Sequence, residues 1–567
     1  MPLAGSAIVK VVASDGVMTT PSMVAYHATQ RGRVVVGEGC KALDAAEWDV
    51  LSLVKRLLGR NGTETGEEKA SVARAMLALG AHAASVTMDA KQGTVLIKCR
   101  NGEELTPLDV MVRSIAAKRE EVLRMLGHRR DDAYGYVATV PAYWKATQRE
   151  LIRCAYRAAG VDDTKLLRIV QEPTAAVFGL LLKDAPELEA LRKKADKTDV
   201  FAVFDLGGGT FDVSVVEGKL ETVAGVEKLT SQVLHLGGDL WLGGSDMEAA
   251  IVADLVRKYP APGAPAATSG PTSGATSSGP TSGEEASRPP ESGGWTQAAK
   301  EATAVRLMHA MSTAEEPAGG GEREVKLDAV PGVGSVRMTE TELGTVLKPL
   351  LDRMGAVVRD VASRATAAKT KITRALAVGG PTSLSLVVSC FGEALRSSSG
   401  FTGRVESFHG TAASTMVVEG AARLARAILD GAEIVLKDMT AFGIGVTVRN
   451  HDGKLAVYHL LPPSSPVNEL RPSDDAMVTL SLSSPELSAA TLSNAQEMDV
   501  GWNDKIRFTI SEGLSTEPGE NAEIGTFEVK IDAAAIEALR PAKGVRVPER
   551  GTFPVPADGR SSVVGGR

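Results

Sequence analysis

Three consecutive glycines between two apolar segments place the strongest constraint on how this chain can fold. Residues 200–218 read VFAVFDLGGGTFDVSVVEG, in which Gly207, Gly208 and Gly209 separate two stretches rich in valine and phenylalanine. Such stretches favour β-strands, and glycine favours tight turns because it has no Cβ. The segment therefore predicts a hairpin whose turn offers bare backbone N–H groups to the oxygens of a phosphate.

The residues that flank this turn favour a phosphate-binding function over a plain β-turn. Asp205 and Asp212 stand on either side of the glycines, where they can hold the water shell of a magnesium ion. The hydroxyl of Thr210 can contact a terminal phosphate or an attacking water. The pattern differs from a P-loop, because GK[ST] is absent and a strand rather than a helix follows the glycines.

Strand-like and helix-like segments alternate before residue 437, which indicates an α/β architecture. The predicted strands are residues 137–140, 200–205, 211–216 and 376–378, and the predicted helices are residues 145–159, 246–258, 296–311 and 384–395. Short alternating segments after residue 437 are typical of a small antiparallel β-domain. Its predicted strands are residues 445–448, 455–461, 478–482, 506–510 and 526–531.

Length and composition exclude several other classes of protein. A chain of 567 residues is too long for one core, so three or four compact units are expected. The net charge of −7 and the lack of a basic patch argue against a nucleic-acid partner. We find no apolar run long enough to span a bilayer and no clear signal peptide, so a cytoplasmic protein without a membrane partner is expected.

The four cysteines indicate a reducing compartment. Cys40, Cys99, Cys154 and Cys390 are far apart and form no CxxC pair, which argues against a disulfide framework and a cysteine-based metal site.

One low-complexity segment indicates an insertion. Residues 260–294 are rich in proline, glycine, serine and threonine and contain GPTSG twice. This composition predicts a disordered surface insertion, either a tolerated loop expansion or, as the less favoured alternative, a phosphorylated or docking segment.

The DLGGGTFD hairpin resembles the second phosphate motif of the 70-kilodalton heat-shock chaperones. Other segments resemble parts of the same family in the same order along the chain. They are TTPSMVAY (19–26), KRLLGR (55–60), ATVPAYWKATQR (138–149), IVQEPTAA (169–176), LGGDLWLGGSD (236–246), VGGPT (378–382) and IVLKDMTAFGIGV (434–446). On these motifs the chain is identified as an atypical member of that family.

The resemblance implies an α/β fold in which an actin-like ATPase of two ribonuclease H-like lobes precedes a small antiparallel β-sandwich. The nucleotide-binding domain would cover residues 1–430, including the insertion at 260–294. An interdomain linker would follow at residues 431–440, and the sandwich, which holds extended peptides in this family, at residues 441–560.

The resemblance also implies roles for individual residues. Lys55 would position the attacking water, and Glu172, Asp205 and Asp212 would organise magnesium and its waters. The β- and γ-phosphates would lie against Gly207, Gly208, Gly209 and Thr210. The cleft for the nucleoside and the phosphates would be lined by Gly243, Gly244, Gly379 and Gly380, and Ser312 matches the family in the adenosine pocket. Nucleotide state would be relayed between domains by Pro141, Arg149 and Asp438. Taken alone, Lys55 is better explained as a solvated helix charge, and only its place in KRLLGR favours the catalytic role. Glu172 could instead cap the segment before Pro173, although its place in QEPTAA favours the functional role. Pro141 could merely end a strand.

The sequence departs from the family pattern at several points. We recognise neither the DLGTT-type first phosphate loop nor the helical lid. Val305, Met308 and His309 stand where the family has a glutamate, a lysine and an arginine around the adenosine. Pro381 and Ser383 replace a serine and an arginine, so weaker ATP affinity is expected. Lys437 puts a charge into a linker that the family keeps apolar, which predicts weaker docking of that strand.

Three functions remain open at this stage. The favoured one is an ATP-dependent chaperone that uses ATP and Mg²⁺, hydrolyses ATP slowly and binds unfolded polypeptide segments, with a J-domain co-chaperone and a nucleotide exchange factor as partners. The alternative is a non-catalytic regulatory or ribosome-associated scaffold that partners a J-domain protein. A sugar kinase on the same fold is less favoured, since such an enzyme has no use for the linker and the β-domain.

Overall fold

The computed structural model describes residues 18–62, 64, 66–89, 93–125, 127, 135–183, 185–259, 296–314, 322–331, 333–408, 410–449, 455–461, 466–468, 505–513 and 522–530. The predicted insertion at 260–294 and the predicted strand at 478–482 lie outside these residues. No helix of the described ranges is long and apolar enough to cross a bilayer.

The N-terminal elements build a hydrophobic core of their own. One antiparallel sheet consists of β2 (Val34–Val36), β1 (Val24–His27) and β3 (Trp48–Leu51), and a second of β4 (Ser85–Asp89), β5 (Thr94–Lys98) and β6 (Glu104–Leu105). The helices around them are the 3₁₀-helices η1 (Gly37–Ala42) and η2 (Val54–Leu57) and the α-helices α1 (Gly66–Gly80) and α2 (Pro107–Met125). Buried residues of these elements, among them Tyr26, Leu57 and Ile97, form one cluster, which we call the N-terminal core.

A parallel strand pair follows. It consists of β7 (Tyr136–Val140) and β8 (Leu166–Gln171), joined by α3 (Ala146–Ala158) and continued by α4 (Glu172–Leu181) and α5 (Ala185–Lys193). Helix α3 begins where the backbone N–H of Lys145 donates to the side chain of Gln148 (3.0 Å), which completes the first turn. Helix α4 begins with Pro173 in its first turn, where a missing N–H costs nothing.

A seven-stranded mixed sheet is the centre of the described structure. Its strands are β15 (Val405–Ser407), β14 (Arg374–Val378), β9 (Thr198–Leu206), β10 (Phe211–Val223), β11 (Val226–Asp239), β16 (Glu433–Met439) and β19 (Pro466–Asn468), in this spatial order. Alternate residues of β9 enter different clusters: Ala202 and Phe204 pack on one face and Phe201 and Val203 on the other. Because both faces are buried, β9 is almost continuously apolar.

Helices cover both faces of this sheet. One face carries α6 (Gly244–Lys258), α7 (Gln297–Thr313), α8 (Glu340–Ala367) and α9 (Ser385–Ser399), with the hairpin of β12 (Glu324–Val330) and β13 (Gly334–Thr339) and the short 3₁₀-helix η3 (Gly380–Ser383) nearby. The other face carries α4 and α10 (Thr411–Leu429). The expected α/β class is therefore confirmed.

The last described strands form an antiparallel sheet in the order β18 (Leu455–Leu461), β17 (Gly443–Arg449), β20 (Lys505–Gly513) and β21 (Ala522–Lys530). They coincide with four of the five strands expected after residue 437. A second sheet, which a sandwich needs, is absent from the described residues, so the sandwich stays a prediction.

Sequence and structure differ in the extent of two segments. Strand β10 continues to Val223, beyond the expected end at residue 216, because it pairs with β11 along its whole length. Residues 433–439 of the expected linker form β16, which pairs in parallel with β11. Lys437 lies half-buried within β16 opposite Gln232, so its charge does not prevent the strand from pairing.

Candidate functional site

The glycine turn connects β9 to β10 at the centre of the main sheet. Asp205 and Asp212 are directly opposite each other in the register of the two strands. The N–H of Gly207 donates to the carbonyl oxygen of Thr210 (3.0 Å), which closes the turn. The hairpin thus places two carboxylates at the base of a turn made of glycines, as the sequence predicted.

The N-terminus of α6 docks onto this turn through the backbone. The N–H groups of Gly244 and Ser245 donate to the carbonyl oxygens of Gly207 and Gly208, each at 2.9 Å. A Cβ on Gly243 would lie 2.6 Å from the carbonyl oxygen of Gly208, far inside van der Waals contact. Glycine is therefore required at position 243 for the helix to approach the turn.

Gly379 and Gly208 meet different constraints. Gly379 has a φ of +96°, and a Cβ there would lie 2.0 Å from the carbonyl oxygen of Leu206 at the end of β9. A Cβ on Gly208 would meet no atom of the described residues within 4 Å. Packing thus explains the glycine at position 379, whereas the space over Gly208 is free for a ligand.

Both aspartates at the turn are buried and incompletely satisfied. The backbone N–H of Tyr143 donates to Oδ1 of Asp212 (3.0 Å), but Oδ2 of Asp205 and Oδ2 of Asp212 have no hydrogen-bond partner among the described residues. An orphaned buried carboxylate oxygen is costly, since water has been removed and nothing replaces it. A cation bound beside these oxygens would relieve that cost.

The pKa values of both aspartates depend on the two other charged residues expected at the site, Glu172 and Lys55. Burial, followed by the negative charges of Glu172 and Asp212, raises the pKa of Asp205 well above its ordinary value, and Lys55 lowers it. Burial and Glu172 raise the pKa of Asp212 to about 7, against the N–H of Tyr143 and the charge of Lys55. Lys55 lies beside the turn, with its Cε 3.9 Å from the Cβ position of Gly209.

The raised pKa of Asp212 predicts a pH-dependent stability in protein freed of nucleotide and metal. The pKa is about 7 in the folded state and 3.8 ordinarily, so folding takes up a proton. Stability from this group is complete below the unfolded pKa and is lost as the pH rises through the folded one. Asp212→Asn keeps an acceptor for Tyr143 but cannot ionise. We expect its advantage in free energy of unfolding over the wild type to grow by about 1–3 kcal/mol between about pH 5 and about pH 8.

Chemical denaturation at the two pH values measures this difference. The exposed carboxylate of Asp352 provides the control, since Asp352→Asn should show no such growth. An advantage of Asp212→Asn that is the same at both pH values would contradict the assignment.

The carboxylates suit magnesium better than a metal held by protein alone. Within the described ranges, no three His, Cys, Asp or Glu side chains are grouped so that they could hold a metal ion by themselves. Magnesium keeps several waters and takes one or two carboxylates together with phosphate oxygens. The orphaned oxygens of Asp205 and Asp212 beside the open turn fit that requirement.

The expected nucleoside contacts are less developed. Ser312 lies in the last turn of α7, where its hydroxyl donates to the carbonyl oxygen of His309 (2.7 Å). Val305 and His309 of the same helix are exposed. The hydroxyl of Ser383 donates to the carbonyl oxygen of Gly380 (2.8 Å). None of these contacts joins Ser312 to the glycine turn.

Two of the expected relay residues contact each other. Arg149 of α3 donates to a carboxylate oxygen of Asp438 in β16 (2.6 Å). Pro141 is buried directly after β7, two residues before Tyr143, whose N–H bonds Asp212. The segment that contacts the buried carboxylate therefore leads within a few residues to the contact with β16.

Sequence reasoning missed three participants. Arg56, next to Lys55, donates from Nε to the carbonyl oxygen of Gly209 (2.8 Å). Both carboxylate oxygens of Glu512, which is 3% exposed, accept from the N–H of Ala146 (2.8 and 3.1 Å). Tyr143 acts through its backbone and gives no side-chain signal. For Arg56, its place in KRLLGR signals a position near the site, although the motif does not show which groups it contacts.

Comparison with known proteins agrees with this geometry. The family model described as "Hsp70 protein" matches residues 3–263. A protein named "Chaperone protein DnaK" from Stenotrophomonas maltophilia (strain R551-3) is 32% identical over 247 residues, which are 43% of this chain and 34% of that protein. "Chaperone protein HscA homolog" from Bordetella petrii is 35% identical over 240 residues, 42% of this chain and 32% of that protein.

Residues 3–263 of the chain therefore match the 70-kilodalton heat-shock protein family, and the resemblance read from the motifs is confirmed over this range. That family implies an actin-like ATPase fold. The match spans about a third of the length of each of the two curated relatives. The matched range contains Lys55, Glu172, the glycine turn and Gly243, whereas Ser312, Gly379 and Asp438 lie beyond it.

Proposed function

We propose that this chain is an ATP-dependent chaperone of the 70-kilodalton heat-shock type, which binds unfolded protein segments and hydrolyses ATP slowly. One observation carries the proposal: two buried carboxylates with orphaned oxygens face each other beneath an open glycine turn. Both relatives above have "chaperone" in their names.

The residues of the site divide the work of phosphoryl transfer, which needs positioning and charge neutralisation more than covalent chemistry. Asp205, Asp212 and Glu172 would hold magnesium and its waters, and a bound magnesium supplies charge neutralisation at the phosphates. The backbone of Gly207 to Gly209 and the hydroxyl of Thr210 would hold the β- and γ-phosphates. Lys55 would orient the attacking water.

The chaperone cycle would also require coupling between the domains. The ion pair of Arg149 and Asp438 and the position of Pro141 support a relay between the glycine turn and the C-terminal sheet. Unfolded segments would bind in the C-terminal β-domain, and a J-domain protein and a nucleotide exchange factor would set the rate of the cycle.

Steady-state turnover of the full-length protein tests this function. We expect slow magnesium-dependent ATP hydrolysis that increases when a J-domain protein and an unfolded peptide are added together. Absence of both ATP binding and turnover would exclude the proposal.

A non-catalytic regulator is the second candidate. It is favoured by one observation, namely that the positions of the charged adenosine contacts hold Val305, Met308, His309 and Ser383. Capture by a J-domain protein or by ribosomes without ATP turnover would decide for it.

A further inference from the structure

Arg56 connects the N-terminal core to the glycine turn and to the beginning of α6. Its neighbours Val54 and Leu57 in η2 are buried in the N-terminal core. Its guanidinium, however, donates to the carbonyl oxygen of Gly209 (2.8 Å) and to both carboxylate oxygens of Asp246 (3.3 and 2.5 Å). Gly209 lies in the central hairpin and Asp246 in the first turn of α6.

Asp246 is itself fixed to the glycine motif. Its Oδ2 accepts from the N–H of Gly243 (2.8 Å), which faces the turn. One planar guanidinium therefore holds the last glycine of the turn and the beginning of α6 together. The side chain of Arg56 is 9% exposed, so water competes little for these charge-assisted hydrogen bonds.

A second arginine of the same segment repeats the connection. The guanidinium of Arg60 lies 5.2 Å from the ring centre of Trp241, two residues before Gly243. Its Nε donates to the carbonyl oxygen of Arg56 (3.2 Å), and Glu68 of α1 neutralises its charge. Arg60 thus supports Arg56 from the N-terminal core.

We propose that Arg56, supported by Arg60, is a clamp that closes the N-terminal core onto the glycine turn and slows the exit of nucleotide. The clamp rests on the proposed ATP site and makes Arg56 a positioning residue, because Lys55 is its neighbour in the chain. To separate η2 from the turn, the protein must break the bonds to Gly209 and Asp246 together. Loss of the arginine removes this barrier while the carboxylates and Lys55 stay in place.

Hydrogen exchange in the nucleotide-free, full-length protein tests the clamp without any ligand. The N–H groups of Gly244 and Ser245 bond the turn and report its opening. We expect Arg56→Gln to speed their exchange at least about tenfold, and Arg56→Lys to give a smaller increase, because lysine keeps the charge but lacks the planar fork.

The matched control is Arg353→Gln, which removes an arginine bonded to Asp239 (2.5 Å) between α8 and β11. It should leave these amides unchanged. Unchanged exchange in Arg56→Gln would overturn the proposal. An equally large increase in the exchange rate of amides in the strands of the central sheet would also overturn it, since Arg56 would then stabilise the whole fold and not the contact with the turn.

Release of a fluorescent ATP analogue in stopped flow gives the second measurement. We expect Arg56→Gln to increase the dissociation rate constant at least about tenfold and the association rate constant much less. A dissociation rate constant equal to that of the wild type would overturn the clamp. If the wild type binds no nucleotide, the proposed function fails, and hydrogen exchange alone decides whether the clamp exists.

Discussion

Asp205→Asn is expected to reduce the affinity of the protein for magnesium-ATP by about 100-fold or more. The substitution removes a buried carboxyl group that is costly to hold, because one of its oxygens has no hydrogen-bond partner among the described residues. Bound magnesium would recover that cost through its charge and waters, whereas a neutral amide cannot. The expected loss corresponds to about 3 kcal/mol of binding free energy.

Titration calorimetry on the full-length protein measures this loss with and without magnesium. The control variant is Asp196→Asn, which changes an exposed aspartate just before β9. Metal-free ATP should bind both variants and the wild type with similar affinity. Equal affinities of Asp205→Asn and wild type for magnesium-ATP would show that the ion, if it binds, lies elsewhere.

Gly379→Ala is expected to destabilise the fold, whereas Gly208→Ala is expected to leave stability unchanged and to weaken ATP binding. A methyl group at position 379 meets the carbonyl oxygen of Leu206 at 2.0 Å and forces a left-handed backbone on alanine. We expect it to lower the free energy of unfolding by about 2–4 kcal/mol. A methyl group at position 208 enters open space, so stability should change by less than about 0.5 kcal/mol.

ATP binding separates these variants further. Because the space over Gly208 is where we place the phosphates, Gly208→Ala should weaken ATP binding by about tenfold although it leaves the fold intact. Denaturant unfolding and calorimetry on both variants test the pair. A destabilised Gly208→Ala, or one that binds ATP as the wild type does, would refute the phosphate position.

Local sequence patterns were sufficient for the hairpin and for most secondary structure. Residues 199–206 and 211–216 are buried on both faces of a sheet, and this forces an almost continuous apolar pattern that the glycines interrupt. Helices α3 and α6 have their own caps and breakers, so their bounds followed from the residues alone. These features depend on neighbours within a few positions.

Contacts between distant segments could not be predicted in the same way. Arg56 is 153 residues from Gly209 and 190 from Asp246, and Glu512 is 366 residues from Ala146. Nothing near these residues in the chain signals their partners, since a charged side chain reads as solvated until the fold buries it. Lys437 likewise predicts weaker docking of β16, since nothing near it in the chain shows that Gln232 lies opposite it in β11.

The sequence by itself determined the α/β class, the glycine turn and the resemblance to the family, because each rests on short motifs with a strong local physical meaning. Only the tertiary structure decided which glycines packing requires, which carboxylate oxygens are left without partners, and which arginine closes on the turn. Those properties depend on burial and on distances between segments far apart in the chain, and they arise only when the cores have packed.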